Sequence, residues 1–190
     1  MIRPLLQTMR LLGLSLLAGA AWVAHRPADL PKIAAPNAAK VDDLLDIMRQ
    51  TTIKRAAVME ISEAEINRHL ATTLAGKIPG MLGGWIVFDG ARLDLEPGSA
   101  RLFLIWKIKG YTRTASVDLG ISRDGKNFRV ELLRGAYGHL QMPRGMMRPL
   151  YPSLEVLAEA LDPEIRALFL MNKITIAKDK LVLDPRFPSA

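Results

Sequence analysis

The chain has 190 residues, 49% of them hydrophobic and 24% charged, with a formal net charge of +7. These values exclude an intrinsically disordered chain and fit one domain large enough to bury a core. The absence of cysteine excludes disulfides, thiol nucleophiles, lipobox-type lipidation and cysteine-ligated zinc or iron–sulfur centres. The three histidines, His25, His69 and His139, form no local metal motif, so neither a metal nor another cofactor is expected.

The chain opens with Arg3, Arg10 and no acid, followed by the uncharged apolar run Leu11–Ala24. A basic start before such a run has the form of a secretory leader, shorter than a full membrane span of about 20 residues. Ala18-Gly19-Ala20 offers the small-x-small pattern of a signal peptidase site, whereas Trp22, Val23 and Arg26 favour an uncleaved anchor. Residues 1–24 are therefore expected to direct export, to the periplasm or the extracytoplasmic face of a membrane. Residues 25–40 carry Pro27, Pro31 and Pro36 and read as a Pro/Ala-rich tether; 41–190 read as a single domain. Outside the cytoplasm a basic protein meets anionic lipid before nucleic acid, and no RNP motif, basic helix or zinc finger is present. The expected partners are a membrane surface and an apolar small molecule, not nucleic acid.

From Val41, the residues Leu44, Leu45 and Met48 recur at helical steps, and the β-branched stretch Thr51–Ile61 predicts a first strand. The sharpest local signal is ISEAEI at 61–66. Ser62 fits an N-cap and Glu65 the third helical position, with Ile61 and Ile66 placed as a hydrophobic staple. Ile66, Leu70 and Leu74 continue an apolar stripe that Gly76 ends. Asn67 and His69 ride on this helix, where the simpler reading is a polar flank with Asn67 bonding a neighbouring backbone. KIPGMLGG at 77–84 lacks the Walker lysine and hydroxyl pair and reads as a flexible loop at an opening.

Four alternating segments then predict an antiparallel meander: Trp85–Glu96, Ala100–Lys109, Thr112–Ser122 and a strand opening at Phe128. Pro97-Gly98 and Asp124-Gly125 supply turns. The alternation slips at Leu133–Arg134, and Gly90, Gly135 and Gly138 suggest bulges and hence a curved sheet. Phe103 and Ile105 lie opposite the main apolar face, so that side is either covered or an exposed patch. Met142–Pro152 reads as an irregular Met- and Arg-bearing loop, either a lipid-facing rim or a packed connector. Ser153 is then expected to cap a long helix, kinked at Pro163 or divided there with Asp162 as a second cap. Lys173–Leu183 reads as a strand pair turning at Lys178-Asp179. The fold expected is α+β.

No nucleophile elbow, H-E-x-x-H or Walker loop is present. Asp94 and Glu96 read as a solvated strand edge, and Ser116, Asp118 and His139 have no spacing that marks a triad. An enzyme is not expected.

The segment ISEAEINRHL at 61–70, the meander after it, the apolar helix from Leu154 and the ending KITIAKDKLVLDPR together resemble small bacterial envelope proteins of the tubular lipid-binding (TULIP) type, the YceB-like and YpmS-like groups. His69 departs from the aromatic expected there, and a lipobox cysteine is missing. The resemblance implies a strongly curved antiparallel sheet wrapped around a long C-terminal helix, with an apolar groove for lipid chains. Leu70, Leu74, Met81 and Trp85 would then line the groove from the early helix and loop, and Leu104, Trp106, Leu119 and Val130 from the sheet. Met146, Leu157 and Leu161 would close it, with Arg144 and Arg148 meeting head groups. The expected function is non-catalytic binding or carriage of a lipid or other long apolar ligand. The alternative is an envelope assembly module that docks a partner, or a second copy, through Phe103 and Ile105.

Overall fold

The computed structural model describes residues 2–31, 44–54, 57–78, 84–124 and 127–186. Its elements run α1 (Ile2–His25), α2 (Leu44–Lys54), β1 (Met59–Ser62), α3 (Glu63–Thr73), β2 (Ile86–Glu96), β3 (Ser99–Ile108), β4 (Tyr111–Asp124), β5 (Asn127–Tyr137) and β6 (Leu140–Met142). A 3-10 helix (Arg144–Leu150), α4 (Tyr151–Ala160), α5 (Asp162–Phe169), β7 (Lys173–Ala177) and β8 (Lys180–Asp184) complete it. The architecture is α+β, with one five-stranded antiparallel sheet in the order β2-β3-β4-β5-β6 and one three-stranded sheet in the order β1-β8-β7.

α3 starts where ISEAEI places it. The Ser62 hydroxyl accepts from the Glu65 N–H, and the Glu65 carboxylate accepts from the Ser62 N–H at 2.8 Å. Ile61 is buried and Ile66 packs beside it, as a staple requires. The predicted first strand is much shorter than expected: α2 continues through Lys54, and among the described residues of this stretch the strand is Met59–Ser62. The β-branched residues there yield to packing of α2 near α5, where Met48 and Ala167 share one apolar cluster.

The meander forms with a fifth strand, β6, beyond the four expected. The slip at Leu133–Arg134 is a bulge: Asp118 pairs with Arg134 and Leu119 with Leu132, so Leu133 is the extra residue of β5 between them. A second irregularity falls between Phe88 and Gly90. In the C-terminal third, two short helices stand where one long helix was the first expectation. Pro163 cannot continue the hydrogen bonding of α4, and it sits instead in the first turn of α5. α4 begins at Tyr151, so Ser153 lies inside it, and Asp162 pairs with Arg166 at 2.8 Å rather than capping.

Two apolar clusters hold the layers together. In the first, Leu70 of α3, Leu74 at its C-cap, Met147 and Leu150 of the 3-10 helix and Leu157 of α4 pack on Ala91, Leu102, Leu104, Ala115 and Val117 of the large sheet. The second lies at the end of the sheet bearing the β2–β3 turn. There Leu95 and Ala100 meet Met48, Ala167, Met171 and the small sheet, and the Asp179 N–H bonds the Leu95 carbonyl.

The other face of the large sheet is covered around Phe103 and Ile105. Phe103 and Ile105 are only 4% and 5% exposed, so of the two readings that side is the covered one, and the alternative of docking through these side chains has no exposed surface to use. The stretch read as the start of a tether crosses them. The Ala28 N–H donates to Thr114 Oγ1, and Arg92 donates to the Pro31 carbonyl, both at 2.8 Å. Thr114 stands opposite Ile105 and Arg92 opposite Phe103 in register, so residues 28–31 pass directly over both.

Candidate functional site

The residues nominated for an apolar groove fall into three groups. Leu70, Leu74, Leu104 and Leu157 are buried against one another, with Leu104 wholly enclosed. Trp106, Leu119 and Leu161 pack on the margin of that cluster, half-buried, and Trp106 meets Phe88 edge-on at 6.3 Å. Trp85, Val130 and Met146 lie outside it and are exposed. Trp85 precedes β2 and is stacked by Lys109 instead. Val130 occupies the part of β5 that β6 does not reach, which makes it an edge residue. Of the methionines near the nominated rim, Met147 rather than Met146 turns inward; it fills the space above Gly135, where any Cβ would overlap its Cε. Arg148 is exposed on the 3-10 helix. Met81 and the side chain of Arg144 lie outside the described residues.

A cavity of about 150 Å³ opens beside Leu74, Phe88, Ala91 and Ile105. That size suits a benzene-sized guest rather than a long chain. A larger cavity, about 280 Å³, lies on the opposite face under the crossing segment, bordered by Ala28, Asp29, Phe103, Ser116, Asp118 and His139. It brings together the three residues of the discounted triad. Both carboxylate oxygens of Asp118 are nevertheless committed to arginines, Arg101 at 2.6 Å and Arg134 at 2.9 Å. The Asp118 bond also raises the Arg101 pKa above its ordinary value. Asp118 therefore does not orient His139 as a base, and the arginine charge facing the cavity is partly neutralised.

Asn67 and His69 have structural duties. Asn67 is 1% exposed and pairs with both backbone groups of Leu93, donating at 2.7 Å and accepting at 2.6 Å. His69 lies 2.8 Å from Glu164 and 3.2 Å from Thr73, joining α3 to α5.

The remaining chemistry concentrates at the N-terminal junction. α1 is 24 residues long, about 36 Å at 1.5 Å per residue, and its stretch Leu5–His25 has the length and composition to cross a membrane. That is longer than the run read from Leu11 alone. None of its apolar window is buried, and Arg26 lies over the exposed Trp22 ring at 5.2 Å. The helix runs directly into the sheet: the His139 N–H donates to the Val23 carbonyl, and Gly138 leaves room for the Ala24 and Arg26 carbonyls. Close by, Trp85, Val87, Ile108 and Tyr111 are exposed among Lys107, Lys109 and Arg113. Of these exposed residues, sequence reasoning nominated only Trp85 for a site. The signal was an interleaving of aromatic and basic residues around the Lys109-Gly110 turn.

No family model matches the chain, and no curated protein matches it either.

Proposed function

We propose that the protein is exported, is held at the extracytoplasmic face of a membrane by α1, and works there without catalysis as a lipid-binding module of the cell envelope. The observation that carries this reading is the continuity of a bare, membrane-length helix with the sheet through Val23, Gly138 and His139. A cation–π pair of Arg26 with Trp22 at the end of that helix suits the polar interface of a bilayer.

Lipid as the ligand class comes from the resemblance to tubular lipid-binding envelope proteins. An antiparallel sheet with helices packed on one face supports it; the paired short helices α4 and α5 take the place of the single long one. In this form the layers must part before an acyl chain can enter, because Leu70, Leu74, Leu104 and Leu157 already touch. The way in lies at the margin marked by Trp106, Leu119 and Leu161.

The test is to extract the full chain from membranes in mild detergent and weigh it by native mass spectrometry. Bound lipid, together with resistance of the membrane-held protein to alkaline carbonate, is expected. Lipid-free protein that takes up no fluorescent fatty acid refutes the lipid reading, and release by carbonate refutes the anchor.

A further inference from the structure

The large sheet is finished differently at its two ends. The end bearing the β2–β3 turn is closed by the second apolar cluster and the small sheet. Among the described residues, the opposite end, where β2 begins and β3 turns into β4, has no such cover: Trp85 is 62% and Tyr111 68% exposed. Because turns alternate in a meander, the β5–β6 turn at Gly138-His139, where α1 joins, lies at this same open end.

Three features of the open end point one way. Its apolar groups occupy both faces: Ile108 and Tyr111 continue the Trp106 face, while Val87 pairs with Lys107 on the other. A protein partner covers one face of a sheet, whereas a bilayer interface surrounds whatever enters it. Next, basic side chains lie over the aromatic rings, Lys109 at 4.3 Å from Trp85 and Arg113 at 5.7 Å from Tyr111. Lys107 is paired with Asp89, but among the described residues neither Lys109 nor Arg113 has a carboxylate partner. Aromatic rings with long cationic stems are the side chains that settle at the boundary between head groups and acyl chains.

The third feature is reach. The Gly138 N–H bonds the Thr114 carbonyl, so α1 joins the sheet at that level, and β4 starts three residues further out at Tyr111. At about 3.4 Å per residue, the β3–β4 turn projects about 10 Å beyond the junction along the strands. Lys109 and Gly110, with φ of 49° and 82°, make that turn as tight as a hairpin allows.

We propose that this end of the sheet, with Trp85, Lys109, Tyr111 and Arg113 foremost, is a second membrane contact that enters the interface of an anionic leaflet beside α1. The proposal rests on the reading of α1 as an anchor. It fixes the orientation of the domain, which a single helix leaves free to tilt.

A chain without cysteine accepts one labelled thiol. The full-length Tyr111→Cys variant, carrying an environment-sensitive fluorophore, is placed in vesicles of equal parts phosphatidylcholine and phosphatidylglycerol. The label is expected to shift to the blue and to resist an aqueous quencher severalfold better than the same label in Lys178→Cys, at the closed end. Lys109→Glu with Arg113→Glu is expected to restore quenching on these vesicles. Equal quenching at the two positions in carbonate-resistant protein overturns the contact and leaves the anchor standing. Release by carbonate overturns both. Protection that disappears on dilution to one chain per vesicle assigns the surface to a second copy and also overturns the proposal.

Discussion

Replacing Asn67 by alanine tests how the outer edge of β2 is satisfied. β2 is an outer strand of the large sheet, and Leu93 turns its N–H and carbonyl away from β3. The Asn67 amide meets both groups, as a neighbouring strand would. The alanine variant leaves two polar groups in a site where Asn67 itself is 1% exposed. Each unsatisfied buried group costs about 1–3 kcal/mol, and water entering the vacated space offsets part of this, so a loss of about 3 kcal/mol is expected. For a chain of this size that lowers Tm by about 6–12 °C. Urea unfolding of the detergent-solubilised protein measures the loss, and hydrogen exchange at the Leu93 amide localises it. Asn67→Asp gives a second signature. At neutral pH its carboxylate faces the Leu93 carbonyl and destabilises at least as much, whereas in acid the protonated group donates again and part of the stability returns. A loss below about 0.5 kcal/mol in Asn67→Ala would falsify this account, because an amide making two buried bonds cannot be that dispensable.

Glu63 accepts the Leu95 N–H, yet desolvation, assisted by Asp94, Asp179 and Glu96, raises its pKa above the ordinary 4.5. The folded state thus holds that proton more tightly than the unfolded chain. Stability from this group is greatest below about pH 4.5 and declines as pH rises through the folded value. Glu63→Gln keeps an acceptor for Leu95 and is expected to remove the decline; superimposable stability–pH curves for the two proteins would count against it. Gly135→Ala drives a Cβ into Met147, coming 2.6 Å from its Sδ, and is expected to cost about 1–3 kcal/mol. Added to Met147→Ala, the same change is expected to cost little in a denaturation series, and full additivity would refute the contact. Gly138 has φ of 55°, and a Cβ there meets the backbone carbonyls of Ala24 and Arg26. Gly138→Ala is expected to lift this stretch and speed nicking by a non-specific protease between residues 24 and 31 severalfold; an unchanged rate would argue against the junction.

Local chemistry was readable from residues that act on near neighbours. The Ser62–Glu65 box spans one helical turn, and a single extra residue at Leu133 interrupts a two-residue alternation, so both leave marks in the chain. The backbone role of Asn67 followed from its place on a polar flank. Features that depend on distant partners left no such mark. Met147 is set apart from Met146 only by the space over Gly135, and the covering of Phe103 and Ile105 uses the backbone of Ala28 and Pro31, which carries no side-chain signature. For the apolar groove, alternation named the inward faces correctly for Leu104, Trp106 and Leu119. It could not say how closely the helices would settle on them. The open end was hidden for a related reason: exposed Trp85 and Tyr111 acquire meaning only once the opposite end is known to be closed.

The path of residues 23–31 sets the usable boundary for any shortened version of this protein. A truncation starting at Val41, where helical periodicity begins, discards the Ala28 and Pro31 bonds and uncovers Phe103 and Ile105. Such a fragment carries a new greasy face and is prone to clump for reasons unrelated to its biology. Starting at Trp22 retains the Val23 carbonyl for His139 and keeps that face sealed. The first residues of the stretch that looks like a spacer, 25–31, are in physical terms an outer layer of the domain.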